Sequence, residues 1–111
     1  MEQEPAMSDL PVFLIANLSI KDPDTYRLYE KGFFPILKKH GGEFITYDDD
    51  IQSLEGEDGP KGRIIILKFP SETAARNWYG DPDYQAISEN RHASTDLGFL
   101  TMVHSLPQRG Q

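Results

Sequence analysis

Three segments of this chain are apolar on both of the faces that an extended strand presents. They are VFLIANLSI at residues 12–20, RIIILKF at residues 63–69 and GFLTMVHS at residues 98–105. Successive side chains of a strand point to opposite faces, so strands of this kind need cover on both sides of their sheet. This requirement limits the folds that are open to the chain.

Helical patterns separate these strands. The first pattern, at residues 22–40, opens with an Asp-Pro signature typical of an N-cap and first helical position and ends in basic residues. The second pattern is capped by Ser71 and ends at Gly80, after which DPDYQAISENRH restarts a helix. Apolar side chains spaced by three and four predict the buried stripe of the first helix: Tyr26, Tyr29, Phe33 and Leu37.

The remaining strand is predicted at residues 43–56, with a bulge or bend at Asp48–Asp50. The resulting order is βαββαβ. Right-handed crossovers then give an α+β, ferredoxin-like, four-stranded antiparallel sheet with strands one and three in the centre and the helices on one face. The helix-free face would expose an apolar patch, so we expect a homodimer formed through that face. The alternative is a monomer in which residues 55–62 fold across the sheet.

Length and composition set the domain organisation. A chain of 111 residues has the size of one domain, predicted at residues 11–106 between flexible tails at residues 1–10 and 107–111. Met7 is an alternative start to Met1.

Charge and residue content exclude several classes of function. The net charge of -7 disfavours nucleic acid as a partner, because phosphate binding needs clustered basic residues. The chain has no cysteine, so thiol chemistry and disulfides are absent. No apolar run is long enough to span a membrane, and the acidic N-terminal sequence lacks signal-peptide features, so we expect no membrane partner and a cytoplasmic location.

The sequence contains no metal or cofactor motif. His40, His92 and His104 are scattered without the spacing of a metal site, and the Asp48–Asp50 run does not resemble a calcium loop. We therefore expect no metal and no cofactor.

An arginine interrupts the apolar face of the last helix. Tyr84, Ile87 and Arg91 lie at spacings of three and four. A buried Arg91 needs an anion, which is either a structural carboxylate such as Glu55 or the carboxylate or phosphate of a ligand. Trp78 is either a core residue or part of a binding site. Asn17, on a central strand, either bonds neighbouring backbone or points into a cavity.

Several segments resemble, in order, the bacterial domain of unknown function 1330 family, which belongs to the dimeric α+β barrel superfamily. They include FLIANLSIKDPDTYRLYEK, KKHGGEF, SLEG and IIILKFPSETAARNWYGDPDYQAISENR, together with the closing apolar strand. The resemblance implies the same fold. It also implies a site at the residues that recur in the family pattern: Asn17, Glu55, Trp78, Tyr84 and Arg91.

Relatives in that superfamily include cofactor-independent monooxygenases, haem-degrading enzymes, isomerases and small-molecule sensors, so the resemblance leaves the activity open. Haem-degrading relatives need a histidine ten residues after the tryptophan, and this chain has Ser88 there.

The expected function is a small-molecule-binding protein or cofactor-independent enzyme acting on a small organic acid in a pocket between sheet and helices. Asn17, Trp78 and Arg91 are the predicted ligand-binding residues, with Arg91 on the carboxylate, and Glu55 and Tyr84 are the catalytic candidates. The alternatives are a non-catalytic dimeric sensor or accessory protein, and then a monooxygenase-like activity.

Overall fold

The computed structural model describes residues 10–106 as a four-stranded antiparallel sheet with helices packed on one face. The strand order β2-β3-β1-β4 places strands one and three in the centre, so the ferredoxin-like prediction is confirmed. No helix in the described part of the chain is long and apolar enough to cross a membrane. The elements are β1 (Val12–Ile20), α1 (Pro23–Lys39), β2 (Glu43–Asp48), β3 (Arg63–Phe69), α2 (Glu72–Gly80), α3 (Pro82–Ser94) and β4 (Thr95–His104).

The capping and burial pattern of α1 follows its sequence. Asp22 caps the helix by accepting hydrogen bonds from the backbone N–H of Thr25 at 3.3 Å and from its hydroxyl at 2.7 Å. The predicted stripe is confirmed as buried, and it packs against the sheet and α3. The predicted tails lie outside the described residues except for Leu10, which is buried and therefore belongs to the domain.

Strand β2 is shorter than predicted. It ends at Asp48, and residues 49–62 form a loop that leads to β3. The first loop residue, Asp49, accepts two hydrogen bonds from the guanidinium of Arg63 at 2.7 and 2.9 Å. The prediction of a strand reaching residue 56 is wrong, because the partner strand β3 begins at Arg63 and the pairing of β2 with it ends at Asp48 and Ile64.

The predicted bend is present at Asp49 and Asp50, and β2 also contains a bulge within the strand. Phe44 pairs with Leu67 and Thr46 with Ile66, which leaves Ile45 as the extra residue. The bulge therefore interrupts the alternation of β2 before its acidic end.

A second bulge interrupts β4. Asn17 of β1 pairs with Phe99 and Leu18 pairs with Leu97, so Gly98 is the extra residue. A side chain at position 98 would collide with the side-chain oxygen of Asn17, which explains the glycine.

The helix-free face of the sheet is apolar. Phe99 and Val103 on β4 remain 37% and 40% exposed. The loop at residues 55–62 is itself exposed apart from Gly59. Four further residues on the two central strands are only partly buried: Phe13, Ile15, Ile64 and Ile66.

Candidate functional site

A cavity of about 100 Å³ lies between the sheet and the helices. The two edge strands contribute wall residues on either side of their bulges, namely Phe44 and Tyr47 from β2 and Leu97 and Leu100 from β4. The helices contribute mainly aromatic side chains: Tyr26, Tyr29, Phe33, Trp78 and Tyr84.

Arg91 lines this cavity and has no anionic partner. It is 4% exposed, and no carboxylate of residues 10–106 forms an ion pair with it. Its Nη1 atom is buried and donates to no acceptor among the described residues. The guanidinium carbon lies 5.9 Å from the centre of the Tyr29 ring, a weak cation–π contact. A buried charge in this state is costly unless an anion joins it.

Glu55 is not that anion. It lies in the exposed loop between β2 and β3 and does not line the cavity. The ion pair between Glu55 and Arg91, one of the two alternatives for Arg91, is therefore not formed within the described residues.

Trp78 is both a core residue and part of the cavity wall. It is 1% exposed, and its ring lies 4.2 Å from that of Tyr84 and 5.3 Å from that of Phe69. Its indole Nε1 is buried without an acceptor among the described residues. An indole N–H normally finds an acceptor when it is buried. This donor is therefore, in addition to that of Arg91, a second buried donor without an acceptor among the described residues.

The hydroxyl groups of Tyr29 and Tyr84 form a buried hydrogen bond of 3.0 Å. Burial raises the pKa of Tyr29 well above its usual range, so this phenol stays neutral. Two hydroxyls carry two protons and their mutual bond uses one, so one O–H remains available to an acceptor.

The polar groups inside the cavity are hydrogen-bond donors. Of the described lining residues, only Glu30 carries a carboxylate, and it lies at the half-exposed mouth, 3.7 Å from Arg63. Tyr26 also stays neutral, because burial raises its pKa to about 12. The interior therefore suits a group that accepts hydrogen bonds and carries negative charge, such as a carboxylate.

Asn17 lies outside the cavity lining. Its side-chain amide donates to the backbone oxygens of Lys61 at 2.7 Å and Arg63 at 3.2 Å, and its oxygen sits beside Gly98. The structure thus forms the backbone-bonded alternative, in which Asn17 fixes the start of β3 and the bulge of β4.

Most of the cavity lining was absent from the predicted site, including two polar residues, Tyr29 and Arg63. Tyr29 supplies half of the hydroxyl pair, and Arg63 stands at the mouth with its guanidinium 4.3 Å from the ring centre of Tyr47. The position of Tyr29 on a buried stripe was a usable signal, since a buried hydroxyl needs a partner. Arg63 is the first residue of β3, and the sequence contains no comparable signal for its place at the cavity.

The histidines and Ser88 lie outside the cavity lining. His40 contacts a buried aspartate, His92 is exposed and His104 contacts Glu72 at 2.8 Å. Ser88, where haem-degrading relatives need a histidine, donates to the backbone oxygen of Gln85 at 2.8 Å.

Asp81 joins the end of α1 to the break between α2 and α3. This buried carboxylate bonds to the His40 ring at 2.7 Å, to the Lys39 amine at 3.0 Å and to the backbone N–H of Asp83 at 2.8 Å. It therefore caps α3 and ties that helix to α1.

Acid should weaken this connection. The hydrogen bond from His40, and then that from Lys39, hold the pKa of Asp81 well below its usual range. A lowered folded pKa stabilises the protein above the unfolded value of about 3.9, and this stabilisation is lost as pH falls through the folded value. We expect Asp81→Asn to lower the free energy of unfolding at neutral pH, by a difference that shrinks below about pH 4.

Urea unfolding of wild type and variant across this pH range measures that difference. Asp83→Asn, which removes an exposed carboxylate from the same helix turn, is the control and should lower the free energy of unfolding by less than Asp81→Asn does. A constant difference for Asp81→Asn would contradict the assigned role.

Comparison with solved structures identifies proteins of the same fold. The chain matches RPA0582 of Rhodopseudomonas palustris, a protein of unknown function, with a TM-score of 0.71 and 20% identity over 88% of this chain and 84% of that one. It matches SnoaB, a cofactor-independent oxygenase from Streptomyces nogalater, with a TM-score of 0.62 and 11% identity over 92% and 99%. HapK from Hahella chejuensis gives 0.58 and 10% over 86% and 92%.

At these identities the likeness shows the fold, which is of the dimeric α+β barrel type. No curated protein matches the chain. Residues 11–104 match the family described as Domain of unknown function (DUF1330), and the chain therefore belongs to that family.

Proposed function

We propose that this protein binds a small organic acid in the cavity between sheet and helices, with Arg91 holding the carboxylate. The observation that carries the proposal is the buried Arg91 side chain without an anion among the described residues. A ligand carboxylate would supply that anion and would remove the cost of the unpaired charge.

The neighbouring donors support the same ligand chemistry. Trp78, Tyr29 and Tyr84 line the same cavity as Arg91. Trp78 carries an indole N–H without an acceptor among the described residues, and the tyrosine pair has one hydroxyl proton that its mutual bond does not use. Together they offer hydrogen bonds to a carboxylate or to a carbonyl oxygen next to it. A cationic ligand would be repelled by the guanidinium groups of Arg91 and Arg63, which both line the cavity.

The proposed role is binding rather than acid–base catalysis. A base within reach of the ligand is needed for proton abstraction, and the described cavity lining contains no histidine and no carboxylate other than Glu30, which is paired with Arg63. Glu55 lies in the exposed loop and receives no role, while Tyr84 keeps a proposed role as donor to the bound acid. This chemistry favours a sensor or accessory protein over an enzyme that removes a proton.

Thermal unfolding in the presence of short carboxylic acids tests this function. A ligand at a hundredfold its dissociation constant stabilises the fold by about 2.7 kcal/mol, which raises the unfolding temperature measurably. We expect such a rise with acetate, lactate or butyrate and none with the amides of the same acids. Equal rises with acids and amides, or no rise with any acid, would contradict the proposal.

We also propose that the protein is a homodimer joined through the helix-free sheet face. The apolar character of Ile15, Ile66, Phe99 and Val103 supports this arrangement. The fold of the neighbours, which is of the dimeric α+β barrel type, supports it as well. A two-fold axis would bring the same patch of both copies together and close the assembly.

A further inference from the structure

A second, larger concavity lies on the helix side of the sheet, between α2, α3 and β4. Its volume is about 490 Å³, which falls in the range of small-molecule sites, whereas the first cavity holds only a few non-hydrogen atoms. We refer to it as the β4 groove. Its apolar walls include Leu14, Ala75, Leu100 and Met102.

The β4 groove and the cavity share part of their walls. Arg91, Leu97 and Leu100 line both spaces. A ligand whose acidic group reaches Arg91 therefore has two directions for the rest of its body, and only the groove has room for a body of any length.

Resting on the proposed function, we propose that the bound acid is an amphipathic monocarboxylate. Its carboxylate lies at Arg91, and its hydrocarbon chain or ring lies along the β4 groove. The inference names the chemical class of the ligand, an acid with one charged end and an apolar body.

The charges around the groove agree with this class. Its described lining contains Arg76, His92 and Arg91 but no carboxylate. This is notable in a chain whose net charge is -7, because most of its surface should repel an anion. Arg76 is already paired with Glu72 at 2.7 Å, which leaves Arg91 as the arginine for an anion. The polar groups lie on the helices, and the sheet side of the groove is apolar, which suits a ligand that is charged at one end only.

Gly80 at the end of α2 helps to keep the groove open. A Cβ atom added at this position would meet nothing within 4 Å. A larger residue could therefore be accommodated without a clash, so the open space can be filled by substitution.

A series of straight-chain acids tests the inference. Dissociation constants are measured by calorimetry for acetate, butyrate, hexanoate, octanoate and decanoate. If each added methylene is buried in the groove, affinity should rise about fourfold per methylene until the groove is filled. The alcohol of the same length as the tightest acid should bind at least tenfold more weakly, because it leaves Arg91 without an anion.

Substitutions in the β4 groove test whether the hydrocarbon chain of the ligand lies there. Met102→Trp and Gly80→Leu add bulk to the groove at residues that do not line the cavity, and they should weaken octanoate binding about tenfold or more while leaving acetate unchanged. Thr73→Leu adds the same side chain to an exposed position of α2 outside the groove and serves as the control. Circular dichroism and unfolding temperature establish that each variant is folded.

The outcomes separate this inference from the function on which it rests. If short acids bind and affinity does not rise with length, the cavity binds acids and the groove inference is overturned. If long acids bind equally well to wild type, Met102→Trp and Gly80→Leu, the hydrocarbon chain of the acid lies outside the β4 groove and the inference is again overturned. If no acid of any length binds, the proposed function fails and the inference fails with it.

Discussion

Replacing Arg91 with methionine should stabilise the ligand-free protein and abolish its response to acids. Methionine keeps an unbranched side chain of similar length but removes a buried charge that has no partner among the described residues. Leaving a buried polar group unpaired costs about 1–3 kcal/mol, so removing it should stabilise the fold by that amount. The lost contact with the Tyr29 ring offsets about 0.5–1 kcal/mol of this stabilisation. We expect the free energy of unfolding to rise by about 1 kcal/mol, measured by urea titration.

The same variant should lose the stabilisation of about 2.7 kcal/mol that an acid at a hundredfold its dissociation constant gives to the wild type. Arg27→Met is the matched control, because Arg27 is exposed and the one ion pair that it forms within residues 10–106, to Asp24 at 3.2 Å, lies on the helix surface. Its stability should stay within about 0.5 kcal/mol of wild type, with the acid response intact. An Arg91→Met protein that is less stable and still responds to acids would contradict the site.

Placing a charge on the helix-free face should separate the proposed dimer. Ile66 lies on a central strand beside Ile15, so the carboxylate of Ile66→Glu would sit in the middle of the joined faces. Burying an unpaired carboxylate is costly, and the two-fold axis repeats the cost in both copies. We expect the dimer dissociation constant to rise by about a hundredfold or more, which corresponds to about 2.7 kcal/mol or more.

Light scattering after size exclusion measures this change as a fall from twice the chain mass of 12.6 kDa to that mass itself. Leu28→Glu is the control, because Leu28 is an exposed apolar residue on α1, away from the sheet face. It should leave the mass unchanged. A wild-type protein that already runs as a monomer at micromolar concentration would refute the dimer without a variant.

Much of the fold could be predicted because its signals are local. The Asp22 cap and the stripe that contains Tyr29 and Phe33 depend on residues within a few positions of one another, and the structure confirms them. The strand order followed from the βαββαβ order of the elements and from right-handed crossovers. The end of β2 was misplaced because it depends on Arg63, which lies fourteen positions from Asp49 and pairs with it only in the folded chain.

The site depends more on such distant contacts. Spacing alone puts Arg91 on the buried face of α3, which the structure confirms. Spacing does not say which groups of other elements face it, so an ion pair with a carboxylate such as Glu55 and an anion supplied by a ligand were both compatible with the sequence. Asn17 was ambiguous for the same reason, since its partners Lys61 and Arg63 belong to a loop end and a neighbouring strand.

The bulges at Ile45 and Gly98 make the shape of the cavity depend on one extra residue in each edge strand. In a regular strand, residues three apart point to opposite faces, yet Phe44 and Tyr47, like Leu97 and Leu100, all line the cavity. Each extra residue thus returns to the helix side a side chain that would otherwise face the opposite surface. Loss of one residue from either edge strand would therefore move a side chain of the cavity wall onto the sheet face assigned to the dimer. A one-residue deletion would widen the pocket and enlarge the apolar interface, and a one-residue insertion would do the reverse.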